Sequence, residues 1–218
     1  ATVLRGGKVT GVTDPRKSTS AELARMMVGS DLPEMTVTPP VRSPSPLLSL
    51  NGLSLASESV LGTSLKGVDL QAFGGEIVGI AGVSGNGQSE LAAAISGERI
   101  CDAAEDIVLD GRPIGHLDAG QRRDLGLGFV PEERLGRGAV PSYELSENAL
   151  LTAHRMDMVK RGMVDRKQSR RFAASVIERF DVKATGPEAA AHGLSGGNLQ
   201  KFIMGREIEL SPKVLLVS

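Results

Sequence analysis

A glycine-rich turn, Gly82-Val83-Ser84-Gly85-Asn86-Gly87-Gln88-Ser89 followed by Glu90, stands between an apolar run and an alanine-rich stretch. About a hundred residues later comes Leu194-Ser195-Gly196-Gly197-Asn198-Leu199-Gln200-Lys201. Both segments have the composition of an anion site. Glycines let the backbone approach a ligand, and the N–H groups that open a helix carry about half a positive charge. In the first segment the spacing of Gly82, Gly87 and Ser89 is that of a phosphate loop. Such a loop cradles phosphates with backbone N–H groups, places a lysine on the β and γ phosphates, and lends a hydroxyl to Mg²⁺. Gln88 stands where the lysine is required. It can donate a hydrogen bond but carries no charge, and charged hydrogen bonds run roughly twice as strong as neutral ones. The backbone cradle alone can still hold a nucleotide, more weakly and with poor transition-state support.

Taken singly, each segment has a plainer reading. The first is also a tight strand-to-helix turn that binds nothing. It is a short dinucleotide fingerprint as well, Gly82-x-x-Gly85-x-Gly87, with Asp110 as the ribose-binding acid. Ser195 is also an ordinary N-cap serine. Their order and separation in one chain favour the phosphate reading of both.

The elements that must position these turns follow from pattern. Glu76–Ala81 is a nearly continuous apolar run of the kind buried on both faces of a parallel sheet. Residues 90–96 predict a short helix closed by Gly97. Strand, glycine turn and helix are the context a phosphate loop needs. Val3-Leu4 and Val9–Val12 predict a hairpin around Gly6-Gly7. Ser20 is placed as the cap of a helix through Met27, with Leu23, Met26 and Met27 on one face and Gly29 ending it. Pro33, Pro39, Pro40, Pro44 and Pro46 make residues 31–46 an extended linker. Residues 47–55 and 63–73 predict β segments, 106–114 a hairpin, and 127–131 a short buried strand. Helices are expected from Glu144 to about Met156, over Asp165–Phe180 with a stripe of Phe172, Ala173, Val176, Ile177 and Phe180, and over Gly196–Glu209. Pro212 punctuates before a last strand at Val214.

The 218 residues are 40% hydrophobic and 23% charged, an ordinary globular balance able to bury a core. A net charge of −1 gives no field to recruit nucleic acid or an anionic membrane. The single cysteine, Cys101, forbids an intramolecular disulfide and suits a reducing cytoplasm. No apolar run approaches the roughly 20 residues needed to span a bilayer. His116, His154 and His192 lack ligand spacing, Cys101 lacks an activating base, and Arg166, Lys167, Arg170 and Arg171 read as the solvated face of their helix. The chain opens with Ala1 inside a strand-like segment and stops at Ser218 after another, the pattern of a piece of a longer polypeptide.

Leu-Ser-Gly-Gly, then Gln200-Lys201 and Arg206, downstream of the phosphate-loop-like turn, resembles the signature motif of the ATP-binding cassette (ABC) ATPases. Phe129-Val130-Pro131-Glu132-Glu133-Arg134, Gly136-Arg137-Gly138 and Leu145-Ser146-Glu147-Asn148 resemble the second cassette of fused-cassette sugar and nucleoside importers. Residues 3–9 and 21–29 resemble the tail of a preceding cassette. The resemblance implies an α/β fold: a P-loop NTPase cassette with an antiparallel β subdomain, a parallel-sheet core and a helical insert over about 144–190. It divides the chain into residues 1–30, the tail of a first cassette, the linker 31–46, and a second cassette over 47–218.

Roles also follow from the resemblance. Residues 82–90 would form one nucleotide site, with Ser89 on Mg²⁺. Leu194, Ser195, Gly196, Gly197, Asn198 and Gln200 would close on the γ-phosphate of ATP held by the other cassette. Glu132 takes the position of the glutamine that touches Mg²⁺ and the attacking water. Ser218 takes that of the metal-holding aspartate, and the adenine-stacking aromatic is missing near Ser59, the first aromatic being Phe73. The site at Gln88 is therefore expected to be degenerate, with no catalytic residue in this chain. Implied partners are the other cassette, two membrane permease subunits and, indirectly, a solute-binding protein. The implied location is the cytoplasmic face of the cell membrane. A nucleotide-binding or structural module that never hydrolyses ATP and an NAD-type enzyme are the alternatives.

Overall fold

The computed structural model describes residues 1–5, 7–29, 41–57 and 62–218, and the side chains of all of these but Arg5 and Val28. The chain divides into two compact units, Ala1–Pro40 and Val41–Ser218. In the first, β1 (Thr2–Arg5) and β2 (Lys8–Val12) pair antiparallel, as expected, and precede α1 (Ser20–Val28). The cap of α1 is Thr19 and not Ser20. Thr19 Oγ1 accepts from Glu22 N, and Glu22 Oε2 accepts from Thr19 N at 2.8 Å, a reciprocal box that an adjacent serine cannot complete. Met27 is 60% exposed and does not join Leu23 and Met26 on the covered face. Gly29 ends the helix in the left-handed conformation. Residues 31–40 of the proline-rich stretch lie outside the described residues, as does position 59.

The second unit begins with an antiparallel sheet. β3 (Pro46–Leu55) pairs with β4 (Leu65–Phe73) and with β5 (Ile107–Leu109), which pairs in turn with β6 (Arg112–Pro113). β3 buries Leu48 and Leu50, then Leu53 and Leu55, so the inward parity changes between them. The ladder slips there, at Gly52 with φ +62°, which is a bulge that keeps all four leucines on one face. Asp110 (φ 49°) and Gly111 (φ 75°) form the two-residue turn between β5 and β6, the Asp-Gly pair that a right-twisted hairpin prefers. α2 (Gln88–Ser96) lays Leu91, Ala94 and Ile95 into this core, and Gly97 closes it.

A second core is helical. α3 (Ala119–Asp124) and β7 (Leu127–Val130) lead to α4 (Leu145–Ala153), which is capped by Glu144 and stops short of Met156. The hairpin β8 (Val159–Lys160) and β9 (Met163–Val164) follows, then α5 (Arg166–Arg179) behind the cap Asp165, and α6 (Gly196–Glu209). Leu145, Ala149, Ala173, Val176, Phe202 and Ile203 are buried together. β10 (Val214–Val217) pairs parallel to β7.

A further expectation fails. Residues 76–81 join no ladder among the described residues, and Ile77 is 98% exposed with Val78 and Ile80 at 40% and 50%. A strand buried in a parallel sheet needs ladder partners, and among the described residues the parallel pairing is that of β7 with β10. The apolar run has strand composition but no ladder partner among the described residues.

Candidate functional site

The glycine-rich turn runs straight into α2. Gly85 and Gly87 take φ of 89° and 103°, which side-chain-bearing residues rarely adopt. Gly87 is the N-cap and supplies no side-chain bond, so the first turn of α2 lacks a side-chain cap. Asn86 N donates to Val83 O at 3.2 Å, closing a turn within the loop. Thr63 clamps it from outside: its Oγ1 donates to Gly85 O at 2.7 Å, and its N–H donates to Glu90 Oε1 at 3.4 Å. Gln88 folds back over the loop, with Nε2 donating to Val83 O at 3.2 Å. Gly82, Val83, Ser84, Asn86 and Ser89 are exposed. Thr63 lies 25 residues from Gln88 and no local pattern marks it.

At the other end of α2, Arg122 is fully buried. Its guanidinium donates to Ala94 O and to Ile95 O at 2.9 Å, and to Gly115 O at 3.0 Å, filling the carbonyls that α2 leaves open. Burial lowers its pKa, and the neighbouring Cys101 works against that shift. Burial likewise raises the Cys101 thiol above its ordinary value, which suits a core residue and not a nucleophile. The histidines serve backbone: His116, His154 and His192 each lie within hydrogen-bonding distance of a main-chain carbonyl. Arg166, Lys167, Arg170 and Arg171 are exposed on α5.

The second segment caps α6. Ser195 is extended, and its Oγ accepts from Asn198 N at 3.4 Å and Asn198 Nδ2 at 2.9 Å. Asn198 Oδ1 accepts from Lys183 N at 2.9 Å. Leu194 packs on the helical core, whereas Gly196, Gly197 and Gln200 are exposed. Arg134 reaches across from the Pro-Glu-Glu-Arg segment, donating to Gly196 O at 3.3 Å and Gln200 Oε1 at 3.4 Å. Deeper along α6, Arg206 and Glu207 are buried as a connected group. Glu207 accepts from Arg206 Nε at 3.2 Å and from Arg123 at 2.5 Å, while Arg206 also donates to Asn148 O and Gly138 O. Desolvation pulls the Arg206 pKa down and the Glu207 carboxylate opposes it.

The parallel pair brings two further positions together. Val217 lies opposite Val130, and Ser218 N donates to Val130 O at 3.0 Å, so Ser218 and the Pro131-Glu132 step leave the same end of the sheet. The carboxyl ends of parallel strands are where ligands gather in open α/β sheets. Glu132 is exposed there. Ser89 offers the hydroxyl that a phosphate loop lends to Mg²⁺, whereas Ser218 brings no carboxylate to this end of the sheet. No hydrogen bond or ion pair among the described residues joins the loop at 82–90 to residues 194–200. The two turns are built on different cores, one under α2 and one under α6.

A phosphate-loop turn, an antiparallel sheet beside it, and a helical core ending in Ser-Gly-Gly define an ATP-binding cassette. The ABC transporter family matches residues 65–217, and the chain belongs to it. It is 37% identical over its whole length to the glucose import ATP-binding protein TsgD13 of Haloferax volcanii, and 34% to the guanosine import ATP-binding protein NupO of Bacillus subtilis. It is 36% identical to the nucleoside import ATP-binding protein NupA of Lactococcus lactis. The chain spans 40%, 42% and 43% of the lengths of these three relatives. Among solved structures, the cassette MJ0796 bound to ADP and Pi superposes with a TM-score of 0.63 at 22% identity, over 78% of this chain and 72% of that one. The cassette cbiO1 of Clostridium perfringens gives 0.58 at 21% identity, over 79% and 64%. The expected α/β cassette fold is thereby established.

Proposed function

We propose that this chain is ATP-binding machinery of an importer for a sugar- or nucleoside-class solute. In this reading, residues 1–30 are the tail of one cassette, 31–46 a linker, and 47–218 the second cassette, with a helical subdomain over about 144–190. Work divides between two nucleotide sites. Residues 194–200 complete the competent site on the other cassette, while residues 82–90 form a second, weak site. The observation that carries this is the separation of the two anion-binding turns onto different cores. Two turns held so cannot be assumed to share one phosphate, and an arrangement in trans gives each a ligand. Gln88 and Ser218 support the weakness of the second site, because neither brings the charge that β and γ phosphates or Mg²⁺ call for. Permease subunits and a solute-binding protein are the partners, at the cytoplasmic membrane face. No helix of the described residues is long and apolar enough to cross a membrane, so the attachment in this reading is peripheral.

Titration with a fluorescent ATP analogue, against NAD as competitor, tests this. The chain is expected to bind the analogue weakly, to ignore NAD, and to release phosphate no faster than a protein-free control. Gln88→Lys should tighten binding about tenfold to a hundredfold, since a charged hydrogen bond contributes on the order of 1.5–3 kcal/mol. Unchanged affinity in Gln88→Lys, or preferential binding of NAD, would overturn the assignment of residues 82–90.

A further inference from the structure

The whole-chain charge of −1 hides a local one. Residues 155–171 carry seven arginine and lysine side chains against two aspartates, a net +5. Arg155 pairs with Asp124, and Arg170 with Glu188 at 3.4 Å. Asp165 is occupied as the cap of α5, where its Oδ1 accepts from Gln168 N at 3.0 Å. Lys160, Arg161, Arg166, Lys167 and Arg171 enter no ion pair among the described residues. On α5, Arg166 and Arg170 stand one turn apart, as do Lys167 and Arg171, so the four share a face away from the buried Ser169, Ala173 and Val176. The hairpin before α5 adds an apolar tip. β8 and β9 have two residues each, all exposed, Met163 by 72%. Met163 pairs opposite Lys160, and Val164 opposite Val159. The turn between them is Arg161 (φ 52°) and Gly162 (φ 77°). Two left-handed residues in succession suit Asn-Gly or Gly-Gly, and an arginine in the first place is strained. Strain kept at an exposed tip points to a use for the side chain that bears it. Val164 also lines a groove with Tyr143, Leu151, Arg166 and Arg170. Glu144 and Glu147 line it too and balance those two arginines, so the excess charge sits outside the groove, on Lys160, Arg161, Lys167 and Arg171.

We infer that the β8–β9 hairpin and the first turns of α5 form a contact surface for an anionic lipid bilayer. The exposed cations meet lipid phosphates, and Met163, between Lys160 and Arg161 at the tip, enters the headgroup layer. One electrostatic and one apolar signal together are what reversible attachment to a membrane surface takes. An acidic protein segment would satisfy the cations but gives no reason for the solvated Val159, Met163 and Val164 among them. The whole-chain charge predicts no such attraction. Charges more than about 10 Å apart are largely screened in 0.1 M salt, so the patch that touches the surface counts and distant carboxylates do not. The inference goes beyond the proposed function, because lipid contact of this kind needs neither nucleotide nor permease.

Co-sedimentation with vesicles tests this, using phosphatidylcholine alone, phosphatidylcholine mixed with phosphatidylglycerol, and soluble poly-glutamate as the competing polyanion. The parent protein should bind the phosphatidylglycerol vesicles about tenfold or more tightly than the neutral ones, and lose that binding as salt rises from about 0.05 to about 0.5 M. Arg161→Gly relieves the turn while removing one cation, so it should weaken binding about fivefold with the far-ultraviolet circular dichroism unchanged. The chain contains no tryptophan, so Met163→Trp makes the tip its own reporter. Its emission should move to shorter wavelength with phosphatidylglycerol vesicles and stay in place with poly-glutamate. No binding of the parent to the anionic vesicles, or equal binding to both kinds, overturns the inference. Tight binding to poly-glutamate with no wavelength shift on vesicles also overturns it, and assigns the patch to an acidic protein segment. Unchanged affinity in Arg161→Gly overturns the placing of the contact at the hairpin. None of these readouts involves nucleotide, so their failure leaves the reading of residues 82–90 where titration with the ATP analogue puts it.

Discussion

Gly205→Ala should destabilise the protein, although the usual arithmetic for a glycine inside a helix says the opposite. Gly205 is buried in the middle of α6. Alanine is about 1 kcal/mol better than glycine in a helix interior, and burying a methyl group adds about 0.8 kcal/mol. Where space is open, the change stabilises. Here a Cβ would stand 2.5 Å from Cδ2, 2.7 Å from Cγ and 3.0 Å from Cε2 of Phe180. Carbon atoms prefer about 3.5–4.0 Å. Because Cγ is the root of the ring, spinning the ring does not clear it. Relief requires α5 and α6 to part by about 1 Å, and overpacking of this kind costs about 1–3 kcal/mol beyond the gain a tolerated methyl brings. The expected net loss is about 1–3 kcal/mol. Urea unfolding followed by far-ultraviolet circular dichroism reads it, with Phe180→Ala as a second background. There the ring is gone and Gly205→Ala should stabilise by about 1 kcal/mol. A gain in the parent protein, or the same change in both backgrounds, would refute the packing argument.

Two further outcomes follow from the site. Glu207→Gln neutralises a fully buried carboxylate that serves Arg123 and Arg206, and should lower unfolding free energy by about 3–5 kcal/mol in the same assay; a loss under about 1 kcal/mol would show that the carbonyls of Gly138 and Asn148 suffice for Arg206. In a polypeptide carrying both cassettes, Ser195→Arg should depress ATP hydrolysis far more than Gln88→Ala. Equal losses in steady-state phosphate release would reverse the assignment of which site works.

Helices with punctuation at both ends were legible in the sequence. α6 starts after Ser195 and ends at Glu209 as its caps and Pro212 require, and Asp-Gly at 110–111 announces its hairpin. What could not be read was anything decided by distant neighbours. The run at 76–81 has strand composition but lacks the flanking ladders that bury a strand. The leucines of β3 change parity at a bulge that only the sheet partner imposes. Thr19 displaces Ser20 because the reach of Glu22 selects it. At the site, motif spacing named the glycines and Ser195. It could not name Thr63, Arg122 or the grip of Arg134 on Gly196, because each bridges segments far apart in the chain.

The uncovered run before the phosphate loop also sets the colloidal behaviour of the chain. Ile77, Val78, Ile80 and Val83 present apolar side chains on a stretch of which residues 76–81 join no ladder among the described residues, and neither a proline nor a charge interrupts residues 77–83. Such an edge templates pairing with another molecule. A net charge of −1 offers little mutual repulsion to oppose it. If residues 82–90 hold nucleotide as proposed, self-association through this run is expected to compete with it, and the apparent affinity for an ATP analogue to fall as the protein is concentrated.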